Sequence, residues 1–226
     1  LPTRAMSAGL GRDCRHSGGT CRSGQEKIIG LLQEVRFRAS WITIMDAIKV
    51  IVGLGNPGSE YSRTRHNAGF WFIDALAESP RAPWGLDKTI HAETAKMRIA
   101  GQPVWLLKPT TFMNHSGRSV LSALQYLKIE SEQCLLAHDE LDLPPGKARL
   151  KFDGGHGGQN GIRDTMALLG HGRFHRLRIG IGHPGHKDQV TPWVLGRPSQ
   201  LDATAISQAI SESIEILPLL MEGRFS

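Results

Sequence analysis

The chain has 226 residues, with 27 Lys/Arg against 21 Asp/Glu and a formal net charge of +6, enough for a full core in one domain of about 180 residues plus an appendage. No apolar run approaches the roughly 20 residues needed to cross a bilayer, which predicts a soluble protein with no membrane partner. Three cysteines, two of them in the first 21 residues, make no disulfide framework and predict a reducing compartment, the cytoplasm.

In chain order, residues 1–44 come first, with seven Lys/Arg, three acids and no sustained apolar period. They read as an unstructured or transit-like N-terminal extension or as an upstream-extended reading frame, and Asp13, Glu26 and Glu34 argue against a transit peptide, which would be poor in acid. A short amphipathic helix over 27–35 is the one element expected there, and Met45 is the natural start of a folded domain over 45–226. KVIVGLG (49–55) is a β-branched run and predicts a strand. Gly53, Gly55 and Gly58 spell G-x-G-x-x-G, but Pro57-Gly58 is a turn rather than a helix start. The acid at a suitable distance, Asp74, lies inside the next helix, so the residues argue against a dinucleotide site.

That helix is expected over 67–79, where Phe70, Ile73 and Ala77 recur at helical spacing. Residues 95–109 read as a hairpin turning at Gly101-Gln102, and 116–128 as a helix with Val120, Leu121, Leu124 and Leu127 on one face. QCLLAHDELDLPPG (133–146) is a buried strand ending in acids and a turn, and KARLKF (147–152) alternates as a strand. A helix over 158–170 is closed by Gly170, FHRLRIGIG (174–182) is a further strand, and 201–221 is helical. Strands alternating with helices predict a single-domain three-layer α/β/α sandwich, and the hairpin makes its twisted sheet mixed though mostly parallel.

In open sheets of this kind ligands bind past the carboxyl ends of the strands. The loops expected there carry Asn56 and His66, Asn114, Asp139, and Asn160, so four loops converge one histidine, one aspartate and three asparagines on one rim. A histidine is suited to deprotonating water near neutral pH, and a carboxylate on its second nitrogen fixes the tautomer. Amides donate to a carbonyl or oxyanion at any pH. Bland alternatives exist for each: a strand-end acid for Asp139, helix caps for Asn114 and Asn160. A serine hydrolase is disfavoured, because no G-x-S-x-G elbow exists and Ser116 reads as an N-cap. Cys134 reads as core, and the scattered histidines form no metal motif.

Five segments, GLGNPGSEYSRTRHNAGF, KPTTFMNHSG, HDELDLPPG, GGHGGQNG and FHRLRIGIGHPG, resemble in order the signature blocks of the bacterial-type peptidyl-tRNA hydrolase family. The resemblance runs from about Val50 to Phe225. It implies an α/β/α fold and metal-independent, cofactor-free cleavage of the ester joining a peptide to the 3′ ribose of tRNA. By matching motif it implies His66 as the base, Asp139 as its partner, and Asn56, Asn114 and Asn160 as substrate-positioning amides. Tyr61, Asn67 and Met113 fall on further substrate-site positions, and Lys151 and Arg178 on positions associated with tRNA. Two departures are the stop at MEGRFS, where family members usually continue their last helix for several residues, and Gln159 where some relatives have histidine.

The charge pattern fits an RNA partner. Residues 147–187 carry eight basic and two acidic side chains, a local patch on a mildly acidic body. The period of two sets Lys147, Arg149 and Lys151 on one face of their strand and Arg176 and Arg178 on one face of the next. With Lys187 these are the expected contacts to the acceptor stem and 3′ end, and the glycines of 154–158 and the helix after them are expected to offer amides to a phosphate. The chain is expected to act as a monomer. The alternative is a non-catalytic RNA-binding protein of the same fold, such as an organellar intron-splicing factor.

Overall fold

The structure is a computed structural model that describes residues 47–78 and 82–221. The extension 1–44, its expected helix over 27–35, Met45 and the last residues 222–226 lie outside the described residues. A seven-stranded sheet runs through the body in the order β2-β3-β4-β1-β5-β7-β6. The strands are β1 Val50–Gly53, β2 Gly85–Asp87, β3 Ala92–Ile99, β4 Gln102–Pro109, β5 Cys134–Glu140, β6 Ala148–Phe152 and β7 His175–Gly180. β4, β1, β5 and β7 are mutually parallel, while β3 and β6 run antiparallel to their neighbours. The expected mixed, mostly parallel sheet is therefore present.

Alternation along the central strands feeds two cores. Ile51 of β1 and Leu135 and Ala137 of β5 face one side, where α1 (Ala68–Glu78) and the long α5 (Gln200–Met221) bury Phe72, Ile73, Ile206, Ile210 and Leu217. Val50, Val52, Cys134 and Leu136 face the other, covered by α2 (Ser116–Leu127) and α3 (Asn160–Leu169) through Val120, Leu124 and Ile162. All seven residues of β5 are buried, as a central parallel strand requires.

Three expectations are corrected. The hairpin turns at Ala100-Gly101, one residue earlier than expected, because Ile99 pairs with Gln102 and both turn residues take positive φ, 49° and 78°. That is the backbone a two-residue hairpin loop demands, and only the glycine advertises it in sequence. β2 is an added edge strand, three residues long and too short for a period to show. β6 is antiparallel to β7, so its carboxyl end, where Phe152 pairs with His175, lies at the opposite end of the sheet from the rim. Residues 153–159 climb back to it.

One close approach places the rim. Gly53 ends β1 where Gly69 of α1 crosses it: a Cβ on Gly53 would lie 2.3 Å from the Gly69 carbonyl oxygen, and one on Gly69 2.3 Å from that of Ala137. Any side chain here would push α1 off the sheet, and with it the residues just before the helix.

Candidate active site

Those residues, Arg65–Asn67, form a single 3₁₀ turn leading into α1, and β5 ends at the same level with Asp139 and Glu140. His66 and Asp139 meet there: His66 Nδ1–H donates to Asp139 Oδ2 at 2.9 Å. Both side chains are buried, but the His66 ring borders a cavity of about 390 Å³. With Nδ1 committed to the carboxylate, the neutral ring holds its lone pair on Nε2.

The electrostatics of the pair are mutual. Burial pushes the His66 pKa down, but the charge of Asp139 and the hydrogen bond to it outweigh burial and hold it above the ordinary imidazole value. Burial pushes Asp139 up, and the imidazole, its hydrogen bond and a bond from Gln159 hold it below the ordinary carboxylate value. Asp139 thus remains anionic without water around it. Burial lowers the adjacent His138, and at the other end of β5 it raises the Cys134 thiol, leaving that residue an inert core side chain.

Asn56, His66, Asn114, Asp139 and Asn160 all line this one cavity, together with Tyr61 and Met113. Asn56 Oδ1 accepts from the Met113 backbone N–H at 2.8 Å, leaving the Nδ2 donor free. Asn160 Oδ1 accepts from Arg163 at 3.0 Å, again leaving an NH2 group. The opposite wall is apolar, made by Val190 and Val194 of the short helix α4 (Val190–Val194) and by Leu195. The arrangement is an imidazole backed by a buried anion and faced by amide donors and an apolar wall, chemistry that can serve a general base. Among the described residues, no three His, Cys, Asp or Glu side chains are grouped so as to hold a metal ion.

The structure redistributes several expected roles. Asn67 does not reach the cavity. It is 1 % exposed, and its amide clamps Asn56 from behind, accepting from the Asn56 N–H and donating to the Asn56 carbonyl, each at 2.9 Å. Neither Asn114 nor Asn160 caps a helix; α3 is capped by Gln159, whose Oε1 accepts from the Ile162 N–H at 2.8 Å. Ser116 is the first residue of α2 rather than its N-cap, and its buried hydroxyl has no partner among the described residues.

On the basic side, Lys147, Arg149 and Lys187 are exposed and Lys151 half-buried. Arg178 is half-buried and donates through Nε to Glu140 at 2.7 Å. Arg176 is not part of any exposed face. It is 2 % exposed, and its guanidinium donates to the carbonyls of Gly155 and Gly154 at 2.6 and 2.7 Å. The glycine loop also uses part of its own amides: Gly154 N–H donates to Asp153 and Gly158 N–H to His156.

Gln159 is the site residue that sequence reading undervalued. Its Nε2 donates to Asp139 Oδ1 at 3.0 Å and lies 3.1 Å from the Met113 sulfur. The signal was available in its position one residue before a helix, where a side-chain acceptor is needed.

The family model described as "Peptidyl-tRNA hydrolase" matches residues 50–226. A peptidyl-tRNA hydrolase of Xanthomonas oryzae is 66 % identical over 182 residues, 80 % of this chain and 94 % of its own length. One from Stenotrophomonas maltophilia is likewise 66 % identical, over 80 % of this chain and 95 % of its own. The crystal structure of peptidyl-tRNA hydrolase from Acinetobacter baumannii superposes with a TM-score of 0.77 at 46 % identity, covering 80 % of this chain and 92 % of that one.

Proposed function

This chain belongs to the peptidyl-tRNA hydrolase family, and from that premise we infer how its cavity works. The protein is an enzyme that hydrolyses the ester between the peptide and the tRNA of peptidyl-tRNA, freeing both. The observation that carries the catalytic assignment is the 2.9 Å bond from His66 to Asp139 on the edge of the cavity. Nε2 of His66 takes a proton from a water held in the cavity, and that water's oxygen attacks the ester carbonyl carbon. Asp139 stabilises the imidazolium that forms. The carbon–oxygen bond to the ribose 3′-oxygen then breaks, and the imidazolium returns its proton to that leaving oxygen.

Negative charge develops on the carbonyl oxygen during attack, and the NH2 groups of Asn56, Asn114 and Asn160 are the donors that meet it or hold the peptide beside it. One well-aimed donor contributes about 3 kcal/mol. Tyr61 and Met113 shape the floor. Lys147, Arg149, Lys151, Arg178 and Lys187 hold the phosphates of the acceptor stem and 3′ end, contacts that confer affinity without reading bases. The enzyme acts as a monomer in the cytoplasm, recycling tRNA left by stalled translation. The intact base and carboxylate favour this over a non-catalytic RNA-binding role.

The test is hydrolysis of an N-acetylated aminoacyl-tRNA by purified protein and by His66→Ala. Turnover is abolished in the variant while tRNA affinity stays within about twofold. Equal loss of both would refute the assignment of His66 as base.

A further inference from the structure

Arg65 lies next to His66 but points away from the cavity, and its contacts span the molecule. It is 5 % exposed. One terminal nitrogen donates to the carbonyls of Arg197 at 2.9 Å and Trp193 at 3.4 Å, and the other to Asp202 Oδ2 at 3.3 Å. The guanidinium plane sits 3.8 Å from the Trp193 ring centre, and the Arg65 backbone N–H donates to the Gly196 carbonyl at 3.1 Å. Trp193, Gly196 and Arg197 lie within or just after α4, the segment whose Val190, Val194 and Leu195 form the apolar wall, and Asp202 lies in the first turn of α5, which follows it.

We propose that Arg65 is a positioning residue that fastens this wall to the turn carrying His66 and so sets the width of the cavity for the bound peptidyl-tRNA end. The inference rests on the hydrolase reading above and adds a role for a residue that touches no substrate. A planar fork that stacks on an indole while bridging two carbonyls and a carboxylate is arginine chemistry; lysine can keep the ion pair but not the stack and the fork together. Its Nε has no partner among the described residues, so the wall itself supplies the grip. Such a wall holds substrate alike before and during the reaction, and its loss falls on KM rather than kcat.

Steady-state kinetics on N-acetylated aminoacyl-tRNA, with hydrogen exchange over residues 190–197, test this in Arg65→Ala, Arg65→Lys and Asp202→Asn. Arg65→Ala raises KM about ten-fold with kcat within about threefold and the acid limb of the pH profile unmoved. Arg65→Lys and Asp202→Asn fall between it and the wild type. Amides 190–197 exchange at least about ten-fold faster in Arg65→Ala, while those of β1 and β5 keep their protection. Should Arg65→Ala fail to fold, the other two variants decide by the same measures. Unchanged KM and unchanged exchange would overturn the proposal, as would a fall in kcat with a displaced acid limb, which would mean that Arg65 acts on His66 itself. Hydrogen exchange needs no turnover, so an inactive wild type would refute the hydrolase reading while leaving the anchor to be judged on exchange.

Discussion

Gln159 and His66 divide one carboxylate between them: Nε2 of Gln159 lies 3.0 Å from Asp139 Oδ1, and Nδ1 of His66 lies 2.9 Å from Oδ2. Because Oε1 of the same glutamine caps α3, the Asp139 carboxylate is braced by the end of a helix. Gln159→Ala removes the cap and one of the two donors to a buried charge. It lowers unfolding free energy by about 1–2 kcal/mol, read by denaturant titration, and lowers kcat.

The pH profile follows from the directions of the two shifts. The base works only when neutral, and the His66 pKa is raised, so the acid limb of kcat/KM lies above the ordinary imidazole value. Asp139→Asn removes the charge that raises it while burial persists, so the limb moves to lower pH and the plateau falls. Stability runs the other way. The raised His66 stabilises the fold fully below its unfolded value of about 6.5 and loses that contribution as pH rises through the folded one. The depressed Asp139 contributes above its unfolded value of about 3.9 and is lost as pH falls through the folded one. The charged pair thus adds most stability between those two values, on the acid side of the activity limb. Parallel rate and thermal-melt measurements across pH check both limbs.

Asn67→Ala strands the N–H and the carbonyl of Asn56 in a buried site. It destabilises by about 1–3 kcal/mol by thermal or denaturant unfolding, and kcat falls because Asn56 loses its backing. An unaffected kcat would mean that Asn56 needs no such support.

Arg176 and Lys151 point from neighbouring strands yet separate cleanly. Arg176→Ala leaves two loop carbonyls, those of Gly154 and Gly155, without their donor, and lowers stability by about 2 kcal/mol or more. Lys151→Ala leaves stability nearly unchanged but raises KM and reduces the salt slope of tRNA binding by about 1. Filter binding at several salt concentrations distinguishes them.

A methyl group on Gly69 has no room: its carbon would fall 2.3 Å from the Ala137 carbonyl oxygen and 2.5 Å from the Leu54 amide nitrogen. Gly69→Ala lifts α1, displaces His66 from Asp139, and lowers both kcat and the melting temperature. A variant that melts lower but keeps its kcat would show that the pair survives the shift.

Periodicity made the fold legible because most elements are long enough to show it; β5 and α2 announce themselves through unbroken or three-to-four-spaced apolar residues. The antiparallel course of β6 was invisible, since Lys147, Arg149 and Lys151 alternate in the same way whichever direction the strand runs. The five rim residues were legible because each sits in a polar break after an apolar run. Burial was not: Asn67 and Arg176 are polar side chains used wholly inside the protein, and only their partners, eleven positions away for Asn67 and in a glycine loop 21 and 22 positions away for Arg176, reveal it. Gln159 was visible as a hydrogen-bonding residue, but not as the one that touches Asp139.

The outermost strand β6 has a further effect. Its far edge meets no other strand among the described residues, and such a border invites another polypeptide to add itself and begin an aggregate. Arg149 and Lys151 stand along that border, while at the other extreme β2 is too short to template anything. Side chains suited to gripping nucleic-acid phosphates therefore also keep copies of the enzyme from stacking edge to edge, and neutralising them for weaker RNA affinity would carry a cost in solubility.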